Sequence, residues 1–273
     1  MTGTHHRGTC MNVQLLGCIE LRTDRGVRVS ASPAVGALLA ALAWSPNTFV
    51  ADQDIIDRLW EDRSPAHPRN ALYTLATRLR KALLSVGAES AACDVVRRRG
   101  GYVLAIDEEA VDRCRFRTRV QQARGASCRG EHEQALSLFE EALSLWHGDP
   151  LSDIRTGWAD GVRVTLRHEW RTAVLNGAEV GLRLDRHDEY VPQLHRLATL
   201  HPLDERVAGL LMLALYRSGR QDEALRCFHR IRSGLVDGLG DEPGRELRSL
   251  HERILLRDED IRTGGPVLHA LAS

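Results

Sequence analysis

The chain has 273 residues, of which 37 are basic and 37 acidic, so its formal net charge is zero. This balance excludes a histone-like protein and a polybasic membrane-binding protein. Aromatic residues make up 5% of the sequence, which argues against a stacking platform for single-stranded nucleic acid. The longest apolar runs, 34–44 and 207–216, fall short of the ~20 residues that cross a bilayer, and no signal-peptide core follows Met1. We therefore expect a cytoplasmic protein without membrane contact.

Six cysteines and 12 histidines show no spacing typical of a metal site or a catalytic site. The sequence contains no CxxC pair, no HExxH motif and no GxSxG nucleophile elbow. Scattered thiols without an export signal predict reduced, buried cysteines. Three tryptophans, Trp146, Trp158 and Trp170, fit core packing better than a ligand cage. We expect no enzymatic activity, no cofactor and no metal.

The charge is distributed unevenly along the chain. Residues 1–106 have 13 basic and nine acidic residues, whereas residues 107–273 have 24 basic and 28 acidic ones. The basic excess is concentrated between Arg63 and Tyr102, where eight basic residues face only Glu89 and Asp94. A one-sided segment of this kind inside a neutral protein indicates a site for a polyanion.

The first elements are predicted from alternation and helix-start signals. Residues 1–10 are expected to form a disordered leader, with Met11 as an alternative initiator. Apolar residues alternate over 13–21, which predicts a strand that pairs through a turn at 24–26 with residues 27–29. Ser32 is the expected N-cap of an apolar helix that ends near Trp44. A second helix is expected from Asp52.

A third helix is predicted over 69–84. Its buried stripe repeats at helical spacing and comprises Leu72, Ala76, Leu79 and Leu83. The rest of its surface has no acidic residue and comprises Arg69, Asn70, Tyr73, Thr74, Thr77, Arg78, Arg80 and Lys81. One interpretation is a solvated face in an arginine-rich protein. The other is a surface whose counter-charge is supplied by a polyanion, since a helix face usually mixes signs to gain i,i+4 pairs.

A β-hairpin is predicted after the third helix. Strand-like residues 94–96 and 102–106 flank the sequence Arg97-Arg98-Arg99-Gly100-Gly101. Glycines permit a positive φ and a close approach to a phosphate backbone. Three adjacent arginines repel one another unless anions neutralise them, so this tip favours the polyanion interpretation of the third helix.

Strands, three helices and a C-terminal hairpin, in this order over residues 11–106, resemble a winged helix-turn-helix domain. The resemblance is carried by Leu59-Trp60, by RNAL…TRLRKAL in the third helix and by VVRRRGGYVL in the hairpin. It implies that the third helix enters the major groove of DNA and that the hairpin is the wing. By their reach and donors, the expected base contacts are Asn70, Thr74, Thr77 and Arg78. The expected phosphate contacts are Arg69, Tyr73, Arg80, Lys81, Arg97, Arg98 and Arg99.

Residues 107–257 are predicted to form an all-α domain of tetratricopeptide-like repeats, followed by a flexible tail at 258–273. Gly130, Ala135, Leu136 and Phe139 recur at an offset of 89 as Gly219, Ala224, Leu225 and Phe228. A weaker middle copy starts at Asp185, and its distance of 34 residues from Gly219 is the tetratricopeptide period. Stacked helical hairpins bury one continuous core and leave a surface that typically binds proteins or peptides.

The whole chain from about 11 to 257 resembles the Streptomyces antibiotic regulatory protein family. The residues that carry this resemblance are ALSLWHGDPLSDI at 142–154, LMLALYRSGRQDEAL at 211–225 and DEPGRELRSLHERIL at 241–255, behind the winged helix. No GxxxxGK[ST] loop is present, so the resemblance is to the small form without an ATPase module. It names the second half a bacterial transcriptional activation domain.

The resemblance implies a nucleoid-associated transcriptional activator that binds direct repeats in double-stranded promoter DNA. It further implies recruitment of RNA polymerase holoenzyme to a secondary-metabolite (antibiotic) gene cluster, by a homodimer or by tandem protomers. The alternative from the repeats is a helical-repeat adaptor that binds protein and has only non-specific affinity for DNA. A pocket for a small-molecule effector is not marked in the sequence.

Overall fold

The computed structural model describes residues 11–23, 32–85 and 93–262 and is mostly α-helical with small β elements, which confirms the predicted fold class. The elements up to residue 106 are β1 Met11–Gln14, β2 Glu20–Thr23, α1 Pro33–Ala43, β3 Val50–Ala51, α2 Asp52–Trp60, α3 Pro68–Leu84, β4 Cys93–Arg98 and β5 Gly101–Ile106. In the described part of the chain, the α-helices that follow are α4 Asp112–Cys128, α5 His132–Ser144, α6 Gly157–Arg183, α7 His187–Leu200, α8 Glu205–Arg217, α9 Gln221–Leu239, α10 Arg245–Leu255 and α11 Glu259–Arg262.

The alternating segment 13–21 is two strands rather than one. β1 and β2 pair antiparallel with Val13 opposite Leu21, so the prediction of one continuous strand is wrong. The chain leaves the sheet between them because Leu15 and Leu16 donate their backbone N–H groups to the Asp112 carboxylate at 2.9 Å. The predicted turn at 24–26 and strand at 27–29 lie outside the described residues.

Helices α1, α2 and α3 share a core with a three-stranded antiparallel sheet of order β3-β5-β4. α1 is apolar on most sides and is buried along its second half. Ser32 occupies the N-cap position, but its side chain makes no capping hydrogen bond. On α2, Ile55 and Ile56 are buried, whereas Leu59 and Trp60 are half-buried. The predicted stripe of α3 is buried in full, which confirms its helical periodicity.

The chain divides into two compact units, Met1–Gln121 with Glu141–Trp170 and Gln122–Glu140 with Arg171–Ser273. The predicted domain boundary at residue 106 therefore falls inside the first unit. This unit adds aromatic contacts beyond the winged helix. The ring of Trp146 lies 5.4 Å from Phe116 and 6.2 Å from Trp170, and Trp158 lies edge-on to Trp44 at 6.3 Å. The three tryptophans assigned to packing are thus in aromatic contacts.

The second unit contains the three predicted repeat turns, and each has the same backbone geometry. The turn residues Gly130, Asp185 and Gly219 have positive φ angles of 79°, 57° and 75°. The N–H of the next residue reaches back to the carbonyl five residues before it, at 3.0 Å for Glu131 to Ala126, 2.9 Å for Arg186 to Gly181 and 2.9 Å for Arg220 to Leu215. This is the Schellman arrangement that ends a helix and starts an antiparallel neighbour. The offsets found in the sequence therefore mark three equivalent helix ends.

The middle repeat shows why one helix position is glycine. A Cβ at Gly181 on α6 would lie 2.2 Å from Cε2 of Tyr190 on α7, which leaves no room for a side chain. Val191 and Leu194 on α7 are buried, as expected for the slots that face the neighbouring helix. The middle copy is weaker in sequence because an aspartate replaces glycine in its turn.

One expectation about exposure is wrong. Cys18 and Cys128 are exposed, although all thiols were expected to be buried. Cys128 ends α4 on the side away from Ala123 and Ala126, which are both fully buried. In the predicted tail, residues 259–262 form α11, and Ile261 is fully buried there. The carbonyl of Ile261 accepts a hydrogen bond from Arg217 Nε at 2.9 Å, which fixes this helix in the second unit.

Within residues 11–23, 32–85 and 93–262, no helix is both long and apolar enough to cross a membrane. In the same residues, no group of three or more His, Cys, Asp and Glu side chains is arranged to hold a metal ion.

Candidate nucleic-acid interface

The face of α3 opposite the core is polar and free of acidic residues. The exposed residues among those assigned to DNA contact are Arg69, Asn70, Tyr73, Thr74, Arg78 and Lys81, whereas Thr77 and Arg80 are half-buried. The helix begins with Pro68 and has no acidic residue in its first turn. An acid-free N-terminus leaves the positive end of the helix dipole available to an anion. This face therefore combines hydrogen-bond donors with uncompensated positive charge.

Two threonine hydroxyl groups on α3 are engaged in hydrogen bonds within the helix. The hydroxyl of Thr74 donates to the Asn70 carbonyl and that of Thr77 to the Tyr73 carbonyl, each at 3.0 Å. These hydroxyl groups still have lone pairs that can accept a hydrogen bond from a base edge. Leu75, between these two threonines, is buried and packs in the core.

The wing is a β-hairpin with a two-residue turn. Arg98 pairs with Gly101, so Arg99 and Gly100 form the turn itself. Gly100 has a φ of 81°, which a residue with a side chain adopts only at a cost. A Cβ at this position would meet no atom within 4 Å. Gly101 is required for a different reason, because a Cβ there would lie 2.2 Å from the Val50 carbonyl oxygen of β3. The two glycines thus fix the turn and the closeness of the wing to β3.

Arg97 and Arg80 hold the base of the wing in place. The Arg97 guanidinium forms a two-pronged ion pair with Asp52 at the start of α2 and lies 4.5 Å from the centre of the Tyr102 ring. The hydrogen bond to Asp52 raises the pKa of Arg97. Arg80 donates from Nε to the Val95 carbonyl of β4 at 2.7 Å, which ties α3 to the wing. Both arginines were assigned to phosphates, and in this structure both also have partners inside the domain.

The remaining arginines assigned to phosphate contact are exposed. Arg98 and Arg99 lie at the tip of the wing, and Arg69 lies at the start of α3. In the part of the chain that the structure describes, these three residues, Arg78 and Lys81 form no ion pair with a carboxylate. Exposed cations without counter-ions on a helix face and a hairpin tip are what a DNA backbone can neutralise.

Sequence reasoning missed the acidic partner of the wing and one exposed aromatic residue. Asp52 was assigned only to the start of α2, and it lies 45 residues from Arg97 in the chain. Phe49 is 49% exposed, and its ring would lie 2.6 Å from a Cβ at Gly101. No local pattern marks either residue, because both relationships arise only when β3 pairs with β5.

Comparisons with known proteins agree with this architecture. Residues 26–104 match the family described as "Transcriptional regulatory protein, C terminal", and residues 111–255 match the "Bacterial transcriptional activator domain". The chain is 36% identical over 241 residues to the regulatory protein DnrI of Streptomyces peucetius, covering 86% of this chain and 89% of that protein. It is 35% identical to the regulatory protein AfsR of Streptomyces griseus over 90% of this chain but only 25% of the longer relative.

A solved structure has the same fold across both units. This is Mycobacterium tuberculosis EmbR in complex with a low-affinity phosphopeptide, with a TM-score of 0.84 and 28% sequence identity. The match covers 93% of this chain and 69% of that chain. Two families match in the expected order, and one relative aligns over nearly its full length. Both findings agree with the geometry of α3 and the wing. The chain belongs to the Streptomyces antibiotic regulatory protein family of DNA-binding transcriptional activators.

Proposed function

We propose that this activator binds direct repeats upstream of promoters and recruits RNA polymerase to a secondary-metabolite gene cluster, at the nucleoid in the cytoplasm. The observation that supports this most is the acid-free exposed face of α3 beside a wing whose tip carries Arg98 and Arg99. A helix of 17 residues with one such face has the dimensions to lie in a major groove. Direct repeats call for two protomers, arranged in tandem or as a homodimer.

The side chains divide into two groups by their chemistry. Arg78 presents a two-donor fork that matches the acceptors of guanine, and Asn70, Thr74 and Thr77 offer shorter donors and acceptors to neighbouring bases. Because phosphates are the same whatever the base, contacts to phosphates are assigned to cationic side chains and to the hydroxyl donor of Tyr73. These are Arg69, Tyr73, Lys81, Arg98 and Arg99, with Arg80 and Arg97 as bridges between the wing and the helices.

Fluorescence polarisation with the promoter region of the gene's own cluster tests the DNA part of this proposal. Arg78→Ala should weaken specific binding by about 1–3 kcal/mol and reduce the preference for the specific site over random DNA. Arg98→Ala should weaken all DNA alike and lower the slope of log affinity against log salt by roughly one unit. Arg226→Ala is the matched control, since Arg226 is an exposed arginine on α9 that pairs with Asp222.

Footprinting and run-off transcription test the other parts. Two protected repeats on one face of the duplex, spaced by about one helical turn, support side-by-side protomers. Transcription by purified RNA polymerase should rise when the activator is added to a template with both repeats and stay basal when the repeats are scrambled. Polymerase activity that is insensitive to the activator would contradict the recruitment step.

The second candidate function is a protein-binding adaptor, and the three equivalent repeat turns of the second unit favour it. An adaptor would show affinity for DNA that depends on salt but not on sequence. The polarisation experiment separates the two functions, because Arg78→Ala changes the preference between sites only if the bases are contacted.

A further inference from the structure

A second cationic site is lined by residues that belong neither to α3 nor to the wing. A cavity of about 340 Å³ opens where the segment after α1 meets the first turns of α4, within the first compact unit. The side chains that matter for its chemistry are Trp44, Ser45, Glu108, Arg113 and Arg117. None of these residues was singled out in the sequence as part of a binding site, and none belongs to the DNA-contacting set.

Arg113 is the unusual residue of this cavity, because its residue surface is only 6% exposed. Its Nη2 donates to the Trp44 carbonyl at 2.6 Å, and its guanidinium lies 4.4 Å from the centre of the Trp44 ring. Its Nε is buried and has no hydrogen-bond partner. Along the described parts of the chain, no carboxylate forms an ion pair with Arg113. A buried cation of this kind has lost hydration without gaining a counter-ion.

The second guanidinium in the cavity is already neutralised. Arg117 donates to both oxygens of Glu169, at 2.9 and 2.6 Å, and lies 5.8 Å from the Trp44 ring. The uncompensated charge is therefore that of Arg113. Burial lowers the pKa of Arg113, which agrees with the cost of holding this cation without a carboxylate. Ser45 is half-buried at the cavity wall and supplies a hydroxyl donor.

We propose that this cavity binds a small oxyanion, a phosphate or carboxylate group carried by a small molecule. The Arg113 guanidinium is its principal ligand, and the Ser45 hydroxyl is a second donor. An anion here would supply the missing counter-charge and form charge-assisted hydrogen bonds with the guanidinium. The occupant would also connect the winged helix to α4. It would contact the winged helix through the residues after α1, and it would contact α4 through Arg113. Glu108 lies exposed at the rim, where its charge opposes an anion.

Titration calorimetry with inorganic phosphate and with acetate, at constant ionic strength in chloride, tests the proposal. The full-length protein should carry Arg98→Ser and Arg99→Ser, so that anions attracted to the wing do not contribute. We expect one saturable site that Arg113→Gln abolishes and Ser45→Ala weakens. Glu108→Gln should tighten it roughly fivefold by removing a nearby like charge in a partly screened medium. Tighter binding of phosphate than of acetate assigns a phosphate-bearing ligand, and the reverse order assigns a carboxylate.

Glu108→Gln and Ser45→Ala keep the test decisive if Arg113→Gln fails to fold, because Glu108 is exposed and Ser45 is half-buried. Affinity that none of the three substitutions changes would overturn the proposal, and the result would be an adventitious ion only. The absence of any saturable site in the protein with the two wing substitutions would overturn it as well. The DNA-binding proposal is unaffected by either result, since Arg113, Ser45 and Glu108 do not belong to it.

Discussion

Arg97 on the wing and Asp52 at the start of α2 are joined by two hydrogen bonds, one of them 2.9 Å long from Nη2 to Oδ2. The two residues are 45 positions apart in the chain, and the pair links α2 to β4, the elements before and after α3 in sequence order. Arg97 also faces the Tyr102 ring, so its guanidinium is held on two sides. Of the three consecutive arginines, only the last two are left without an acidic partner in the described structure. Arg97 therefore differs from Arg98 and Arg99, although the sequence presents the three as equivalent.

Arg97→Ala and Arg98→Ala should affect different properties of the protein. Arg97→Ala should lower the free energy of unfolding by about 1 kcal/mol, because a partly exposed ion pair and a cation–π contact are lost. Arg98→Ala should leave stability unchanged and reduce the salt slope of DNA affinity by roughly one unit. Urea titrations and polarisation at several salt concentrations measure both. An equal loss of salt slope in the two variants would show that the Arg97–Asp52 pair opens on DNA.

The two glycines of the wing provide a matched pair of substitutions. Gly100→Ala places a methyl group in open space at a φ of 81°, and it should cost about 1 kcal/mol of stability. Gly101→Ala forces a methyl group against the Val50 carbonyl, so it should cost about 3 kcal/mol or more and displace the wing from β3. Thermal unfolding and DNA affinity report the two effects. Similar losses for both variants would contradict the close packing of β5 on β3.

Features that depend on residues close together in the chain were predictable from the sequence alone. The stripe of α3 is one case, since Leu72, Leu79 and Leu83 recur at spacings that only a helix brings to one face. The two glycines at 130 and 219 are another, because a helix that ends in a left-handed residue favours glycine there. In both cases the physical constraint acts within a few residues, so the sequence carries its signature.

Relationships between distant residues were not predictable. The ion pair of Arg97 with Asp52 and the contact of Asp112 with Leu15 join residues 45 and 97 positions apart. The prediction of one strand over 13–21 was wrong for the same reason. The carboxylate that binds the backbone between the two strands comes from α4. The cavity at Arg113 was not predictable either, because nothing in the sequence distinguishes this arginine from the many others until its burial is known.

The buried carboxyl group of Asp112 should make the free energy of unfolding depend on pH. Burial raises the pKa of this carboxyl to about 6, although three backbone N–H groups, those of Leu15, Leu16 and Arg113, oppose the shift. The folded state then binds more protons than the unfolded state between about pH 4 and 6, so stability should fall as pH rises through this range. The fall should be at most about 3 kcal/mol, measured as the free energy of unfolding at a series of pH values.

Asp112→Asn is the control for this prediction. An amide does not titrate, so the variant should lose the decrease between pH 4 and 6. It should also be less stable at every pH, because both carboxylate oxygens accept backbone N–H groups and an amide nitrogen cannot. A variant that keeps the full decrease would assign the pH dependence to other groups.

The side chain of Glu61 links the end of α2 to the start of α6 within the first unit. Its carboxylate oxygen accepts the backbone N–H groups of Gly157 and Trp158, the latter at 3.3 Å, and thereby caps α6. Glu61 itself has a φ of 49° and a ψ of −125°, a conformation that glycine adopts readily and other residues adopt at a cost. The strained backbone thus holds the side chain that satisfies the helix end.

Three substitutions separate the cap from the strain. Glu61→Ala removes the cap and keeps the strain, so it should cost about 1–2 kcal/mol of unfolding free energy. Glu61→Gly also removes the cap but relieves the strain, and it should be more stable than the alanine variant by about 1 kcal/mol. Glu61→Gln keeps an acceptor oxygen and should cost least. Urea titrations measure all three, and amide exchange at Gly157 should accelerate only in the alanine and glycine variants. Equal stability of the alanine and glycine variants would contradict the strain, and equal stability of the glutamine and alanine variants would contradict the cap.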